Sequence, residues 1–422
     1  MKRLAQLLVI LSVVATTFAQ TNRPSAELKL SPAEHSISNA QRLIDQNPKS
    51  YEAYNALALA LSRRARETSD VRFYAEAQDE LKKSFQISPD NFDGKRIEVW
   101  LLLGKHEFAA ARQEALKLNK RMPDDVMVYG FLTDANVELG NYDEAEKAAQ
   151  LMLDLRPGNS PGITRAAHLR ELFGDVDGAV DLMNMALQTT SPSEAEDEAW
   201  ILTQIAHLDL SVGRFAEAEK SLNQALTLFP GYHYALGNLA KLRIAQKRYD
   251  EAVQVLEQRY QAAPRAENLY DLAEALQLAG HATETGRAFA DFEKKSLAEA
   301  DRADNSNREL IFYYADYAHE PRKALEVAQE EFARRHDVYT LDAYAWALHV
   351  NGENQKALKP METAMAVGIR DARMLRHAGE IALAMGDRAA AQKYLQQAAD
   401  LNAGDSDLAR ATLALLSDGN HR

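Results

Sequence analysis

Alanine recurs along most of the chain at a nearly constant interval, and this constrains the fold more than any other feature. Ala77, Ala111, Ala145, Ala179, Ala218, Ala252, Ala324, Ala357 and Ala391, with Thr285 taking the place between Ala252 and Ala324, are separated by 34, 34, 34, 39, 34, 33, 39, 33 and 34 residues. A chain of 422 residues would ordinarily divide into about two or three independent domains. A unit repeated ten times predicts a stack instead, because one such unit cannot bury its apolar face without a neighbour.

Other residues keep the same phase. Gly213-Arg214-Phe215-Ala216-Glu217-Ala218 is followed by Leu222, Ala225 and Pro230, and Gly140-Asn141-Tyr142-Asp143-Glu144-Ala145 by Ala149, Met152 and Pro157. Glycine five residues before the alanine, at Gly140, Gly174, Gly213, Gly280, Gly352 and Gly386, suits a left-handed residue ending a first helix. Asp143, Asp177 and Asp250 stand where a second helix begins and are expected to accept from its free N–H groups. Pro89, Pro123, Pro157, Pro230 and Pro264 close that helix, having no N–H to donate. Ala58, Ala167, Ala206, Ala240, Ala273, Ala345 and Gly379 let the two helices approach closely.

This pattern resembles the tetratricopeptide repeat, with its small residue at position 8, aromatic near 17, alanine at 20, small residue at 27 and proline at 32. The resemblance implies an all-α, right-handed superhelical solenoid of about ten helix hairpins. The repeats fall at about 51–91, 92–125, 126–159, 160–193, 199–232, 233–265, 266–299, 305–337, 338–371 and 372–405, within a solenoid of 51–405. Residues 20–50 precede it with a capping helix, and 406–422 follow as a second capping helix and tail. About seven extra residues between Arg63 and Arg72 lengthen a helix or loop of the first copy. Five more in each 39-residue interval, at 191–197 and about 297–305, read as elongated turns, with a hinge as the alternative.

Lys2 and Arg3 precede an apolar run from Leu4 to Phe18 that ends at Ala19, which reads as a signal peptide of residues 1–19. The run is too short for the ~30 Å hydrocarbon core, so export without stable membrane insertion is expected, most simply to a bacterial periplasm; a retained anchor is the alternative. Sixty-two acidic residues against 49 basic ones leave a formal charge of −13, the wrong sign for a nucleic-acid partner. No cysteine is present, which excludes disulfides, thiolate metal sites and thiol catalysis. No zinc-protease, nucleophile-elbow, phosphate-loop or dinucleotide motif is found either. The expectation is a chain without enzyme activity, cofactor or metal, which binds a protein or peptide partner.

In the resembled family, positions 2, 5, 6, 9 and 12 of each first helix face the concave groove. Carried to repeats 8 to 10, they select Tyr313, Tyr339, Asp342, Trp346, His349, Arg373, Arg376, His377 and Glu380 as a partner-binding set. Aromatics with arginines suit a peptide groove, although Trp346 or Trp200 packing between hairpins is the simpler alternative. In repeats 4 to 6 the same positions give a secondary groove of Arg165, His168, Gln204, His207, Tyr234, Asn238 and Lys241. The family's two-carboxylate clamp is missing, because Glu267 and Asp271 stand where its cations should be. The implied function is a scaffold holding a partner segment in its groove. A chaperone-like or glycan-binding accessory of an envelope assembly or export machine is the alternative.

Overall fold

A computed structural model describes residues 30–191, 194–300, 302, 304–401 and 412–415. The leader read at 1–19 and most of the tail at 406–422 lie outside the described residues. What is described is helical, without a strand, and is laid down as consecutive hairpins that stack into a right-handed solenoid.

The periodic alanine is the hinge of this packing. Nine of the ten positions are alanine and all nine have no exposed surface, so a larger side chain there would separate the two helices of its hairpin. Thr285 is half-exposed and turns its hydroxyl back onto the His281 carbonyl, 2.9 Å away.

Position 15 obeys a stricter rule than its glycines reveal. The six glycines have φ between 73° and 82°, and the four non-glycine residues of the described chain with positive φ, Ser69, His106, Lys247 and His319, end the first helices of the other four repeats. All ten first helices therefore stop on a left-handed residue, which turns the chain back for the second helix.

Capping departs from the sequence expectation. Asp143, Asp177 and Asp250 lie within the first turn of the second helices Tyr142–Leu155, Val176–Thr189 and Tyr249–Ala262, and none is the capping acceptor there. In that turn they act on the helix dipole, and Asp177 also holds Arg214 at 2.6 Å. Side-chain caps sit mostly on the first helices, where Ser50, Asn91, Asp125, Asn159, Asp337 and Asp371 each accept from the backbone of the next turn; on the second helix Val176–Thr189 the cap is Asp175.

The extra residues extend helices and, between Glu299 and Asn307, the connection as well. The first helix of repeat 1 runs Tyr51–Thr68, that of repeat 5 starts early at Ala195, and the second helix of repeat 7 runs Ala282–Glu299. Ahead of repeat 1, Pro32–Gln46 forms a single helix with a capping box at Ser31 and Glu34, and buries Ala33, Ala40 and Ile44.

Successive turns of the superhelix touch, about four to six repeats apart. The His336 N–H donates to the Glu138 carbonyl (3.2 Å), and the Val338 N–H to the Tyr142 hydroxyl (2.9 Å). A Cβ on Gly140 would lie 2.6 Å from the His336 carbonyl oxygen, and one on Gly174 2.6 Å from that of Gly368; at Gly213, Gly280, Gly352 and Gly386 nothing lies within 4 Å. At Gly140 and Gly174 glycine thus meets two demands, a left-handed backbone and a backbone neighbour from the next turn.

Candidate functional site

The seam between turns begins where repeat 1 meets repeats 5 and 6. Arg66, near the end of the first helix of repeat 1, pairs with Glu196 and Asp197 at the start of that of repeat 5. Glu196 is buried and accepts from the Tyr232 hydroxyl at 2.6 Å. Burial works against the Arg66 charge, yet Glu196 and Asp197 hold its guanidinium above the usual range. His233 of repeat 6, Nε2 3.2 Å from the Arg66 carbonyl, completes the clasp; burial pushes its pKa down to about 4, so it is neutral at neutral pH.

This clasp closes five first helices, Tyr51–Thr68, Phe92–Gly104, Val126–Glu138, Ser160–Leu172 and Ala195–Ser211, around a cavity of about 970 Å³. That is the upper end of the roughly 300–1,000 Å³ usual for ligand sites. Its wall is mostly apolar and includes Ile97, Trp100, Met127, Phe131, Trp200 and Ile201. Two of the chain's three tryptophans are here. Asp93, Ile97 and Trp100 stand at positions 2, 6 and 9 of repeat 2, and Met127, Phe131 and Asp134 at the same positions of repeat 3. The inward positions that the resemblance implies are therefore the ones that line the cavity, in copies that the sequence reading passed over. The signal was present: large apolar or aromatic residues, Ile97, Trp100 and Phe131, at inward positions of consecutive repeats.

The secondary set meets this cavity in part. Arg165, His168 and Gln204 line it. Arg165 grips Asp134 through two bonds (2.8 and 2.6 Å) and also donates to the Gly130 carbonyl. Glu171 joins two repeats, accepting from His168 (3.3 Å) and His207 (2.7 Å). Burial opposes the Glu171 charge, but these two bonds hold its carboxyl well below the usual range; the same pairing outweighs burial at His168 and raises its pKa. Tyr234 packs on His233 with ring centres 3.9 Å apart, Asn238 donates to the Thr203 carbonyl (3.2 Å), and Lys241 is exposed.

The set chosen in repeats 8 to 10 is arranged differently from an open groove. Trp346, Asp342 and His377 are buried, at 5%, 4% and 3% exposure. Trp346 stacks between His377 and His349 at 4.1 and 5.0 Å and donates to Asp316 (2.9 Å), while His377 pairs with Asp342 at 2.8 Å. His349 is also fixed by Asn354 at 2.7 Å. Tyr313 packs on Phe289 and Phe292, in a π-helical turn Tyr313–Tyr317, and Tyr339 lies under the Arg308 guanidinium. Arg373 reaches across the groove to Glu274 of repeat 7 (3.3 Å), and Arg376 pairs with Glu380 on its own helix (2.8 Å). One ion pair thus joins repeat 7 to repeat 10, while Glu267 and Asp271 of repeat 7 pair with Arg265 and Arg259. Bulky side chains at inward positions have filled this part of the groove, so three of the nine selected residues are not presented at all.

The fold defines a class, the helical-repeat solenoid. Tetratricopeptide-repeat models match residues 98–160, 209–276 and 372–405, and the chain belongs to the tetratricopeptide-repeat proteins. Their common role is protein interaction, and this chain is such a scaffold. No curated protein matches the sequence. Among solved structures, the human IFIT1 dimer with m7Gppp-AAAA is 15% identical, with 89% of this chain and 96% of that chain covered and a TM-score of 0.50. The Cut9 and Hcn1 hetero-tetramer of the APC/C is 14% identical over 91% of this chain and 60% of that one, with a TM-score of 0.47. A tetratricopeptide repeat protein from Parabacteroides merdae is 16% identical over 61% and 98%, with a TM-score of 0.36. These similarities concern the fold alone. Among the described residues no helix is long and apolar enough to cross a membrane.

Proposed function

We propose that the protein holds a segment of a protein partner in the cavity of repeats 1 to 5, and not in the groove of repeats 8 to 10. The observation that carries this reading is the contrast between the two inner faces: one borders an open-sided cavity of about 970 Å³ with largely apolar and aromatic walls, while the other has Trp346, Asp342 and His377 buried among its own side chains. Apolar surface left facing a cavity is a reserve of binding energy, released when a partner side chain replaces the water there. In this reading the chain has no catalytic role, and it works after export with residues 1–19 removed. Nucleic acid does not suit the cavity, since its guanidinium groups are already paired with carboxylates.

Filling the cavity tests the reading. Ala56 and Thr164 face it without being buried in a hairpin core, so Ala56→Trp/Thr164→Trp should abolish partner capture while the melting temperature stays within a few degrees. Capture that survives the filled cavity and is lost in Arg376→Glu would place the site in repeat 10 instead. Amino-terminal sequencing of the exported protein would test the leader, with Gln20 the expected first residue.

A further inference from the structure

Resting on the cavity reading above, we infer that the occupant is an uncharged peptide segment rich in leucine, isoleucine or phenylalanine, docked by its side chains and held by its backbone carbonyls. Three observations converge on that chemistry.

The first is charge. Four arginines line the cavity, and four carboxylates line it with them, Asp93, Asp134, Glu194 and Asp197. Arg66 is clasped by Glu196 and Asp197, Arg96 by Asp93 (2.6 Å) and Asp125 (2.8 Å), and Arg165 by Asp134, while Arg63 stands 3.7 Å from Glu194. A phosphate or carboxylate entering here would have to displace a carboxylate already bonded and leave it unpaired in a confined space. Three of the four arginines are thus hydrogen-bonded to carboxylates, and the fourth, Arg63, faces Glu194.

The second is the apolar wall. Leu59, Ile97 and Met127, with Trp100 and Trp200, present hydrocarbon and aromatic surface from all five first helices save that of repeat 4, and Phe131 backs this wall from the core. Methionine, with its unbranched thioether, adjusts to side chains of differing shape. Leucine-like and aromatic side chains are what such a wall gains most from covering.

The third is the hydrogen-bonding capacity left over. Among the described residues neither the Trp100 nor the Trp200 indole N–H has an acceptor, and the Gln204 side-chain amide has no partner. An indole nitrogen donates only. The complement is a ligand that brings acceptors without charge, and the carbonyls of a peptide backbone are such a row.

The experiment uses the full chain and tryptophan fluorescence. Three probes are titrated: an acetylated, amidated octapeptide alternating leucine and phenylalanine with serine, the same peptide with aspartate replacing leucine, and a 5′-phosphorylated oligoadenylate. The neutral apolar peptide should bind at least about tenfold more tightly than either other probe. Its affinity should change less than about twofold between about 0.05 and 0.5 M salt. Trp100→Phe/Trp200→Phe, read by calorimetry, should weaken binding by at least about tenfold in a protein that still unfolds cooperatively, since both N–H donors and part of the aromatic wall are lost. Preference for the acidic peptide or the oligoadenylate, blocked by Ala56→Trp/Thr164→Trp, would overturn this chemistry and leave the cavity as the site. Apolar-peptide binding unaffected by the filled cavity would overturn the site as well, and absence of binding by all three probes would overturn the inference.

Discussion

Replacing Gly140 and Gly213 separately by alanine isolates the contact between superhelical turns. Both glycines end a first helix, with φ of 73° and 77°. Alanine at either costs about 1–2 kcal/mol for the left-handed backbone alone. At Gly213 the new methyl group meets open space, but at Gly140 it would lie 2.6 Å from the His336 carbonyl oxygen and 3.3 Å from the His336 Cβ. That carbonyl is backbone and cannot swing aside, so Gly140→Ala must also push the turns apart. The seam bonds at Glu138 and Tyr142 are then stretched or lost. Overpacking of this kind adds about 1–3 kcal/mol. Urea denaturation should therefore show Gly140→Ala losing more stability than Gly213→Ala by that additional amount, and small-angle scattering should show a larger radius of gyration for Gly140→Ala only. Equal losses with identical scattering would refute the seam, since the two sites differ in nothing else that matters.

Three further outcomes are expected. Arg66→Ala should cost about 3–5 kcal/mol, because it leaves buried Glu196 without its cation; Arg66→Ala/Glu196→Gln should recover part of this, and a double-mutant cycle showing no coupling would contradict the clasp. His233 is buried with its pKa pushed down to about 4, so its contribution is complete above the ordinary histidine value of 6.5 and is lost as pH falls toward 4, when the unfolded chain takes up a proton that the folded chain refuses. The loss is up to about 3 kcal/mol, and in His233→Gln the stability measured against pH should be flatter across that window. Trp346→Ala should cost about 3–5 kcal/mol as a core truncation, whereas Arg376→Ala, whose pair with Glu380 is exposed, should change the melting temperature by less than a degree or two.

Much of the fold was legible because it repeats. Each alanine of the series, such as Ala145 or Ala252, reports a local demand, the closeness of two helices in one hairpin, and the same demand is written nine times. Left-handed His106 and Lys247 were not legible, since a residue other than glycine gives no sign of positive φ unless the phase of the repeat is trusted over residue type. The caps were misplaced for a related reason: Asp143 and Asp250 look like capping residues, but helices starting at Tyr142 and Tyr249 put them inside the first turn.

The site depended on a longer-range fact. Inward positions follow from repeat phase, yet whether an inner face stays open depends on the volume of the side chains placed there and on where the superhelix meets itself. In repeats 8 to 10 Trp346 and Tyr313 pack against neighbouring rings and Arg373 is tied to Glu274, so much of the set that most resembled a binding surface is engaged within the fold. Around the cavity, Ala56, Ser160 and Thr164 leave room, and the closure supplied by Arg66 and Glu196 joins residues 130 apart. Nothing near Arg66 in the sequence announces that partner.

Photo-crosslinking from the two inner faces tests the central claim most directly. A benzophenone side chain placed at Met127, on the cavity wall, or at Arg376, exposed on the first helix of repeat 10, is activated in the full-length protein in its source cells. A discrete partner adduct is expected from position 127, removed by Ala56→Trp/Thr164→Trp, and none from position 376. An adduct from position 376 alone, with position 127 silent in a folded protein, would contradict it.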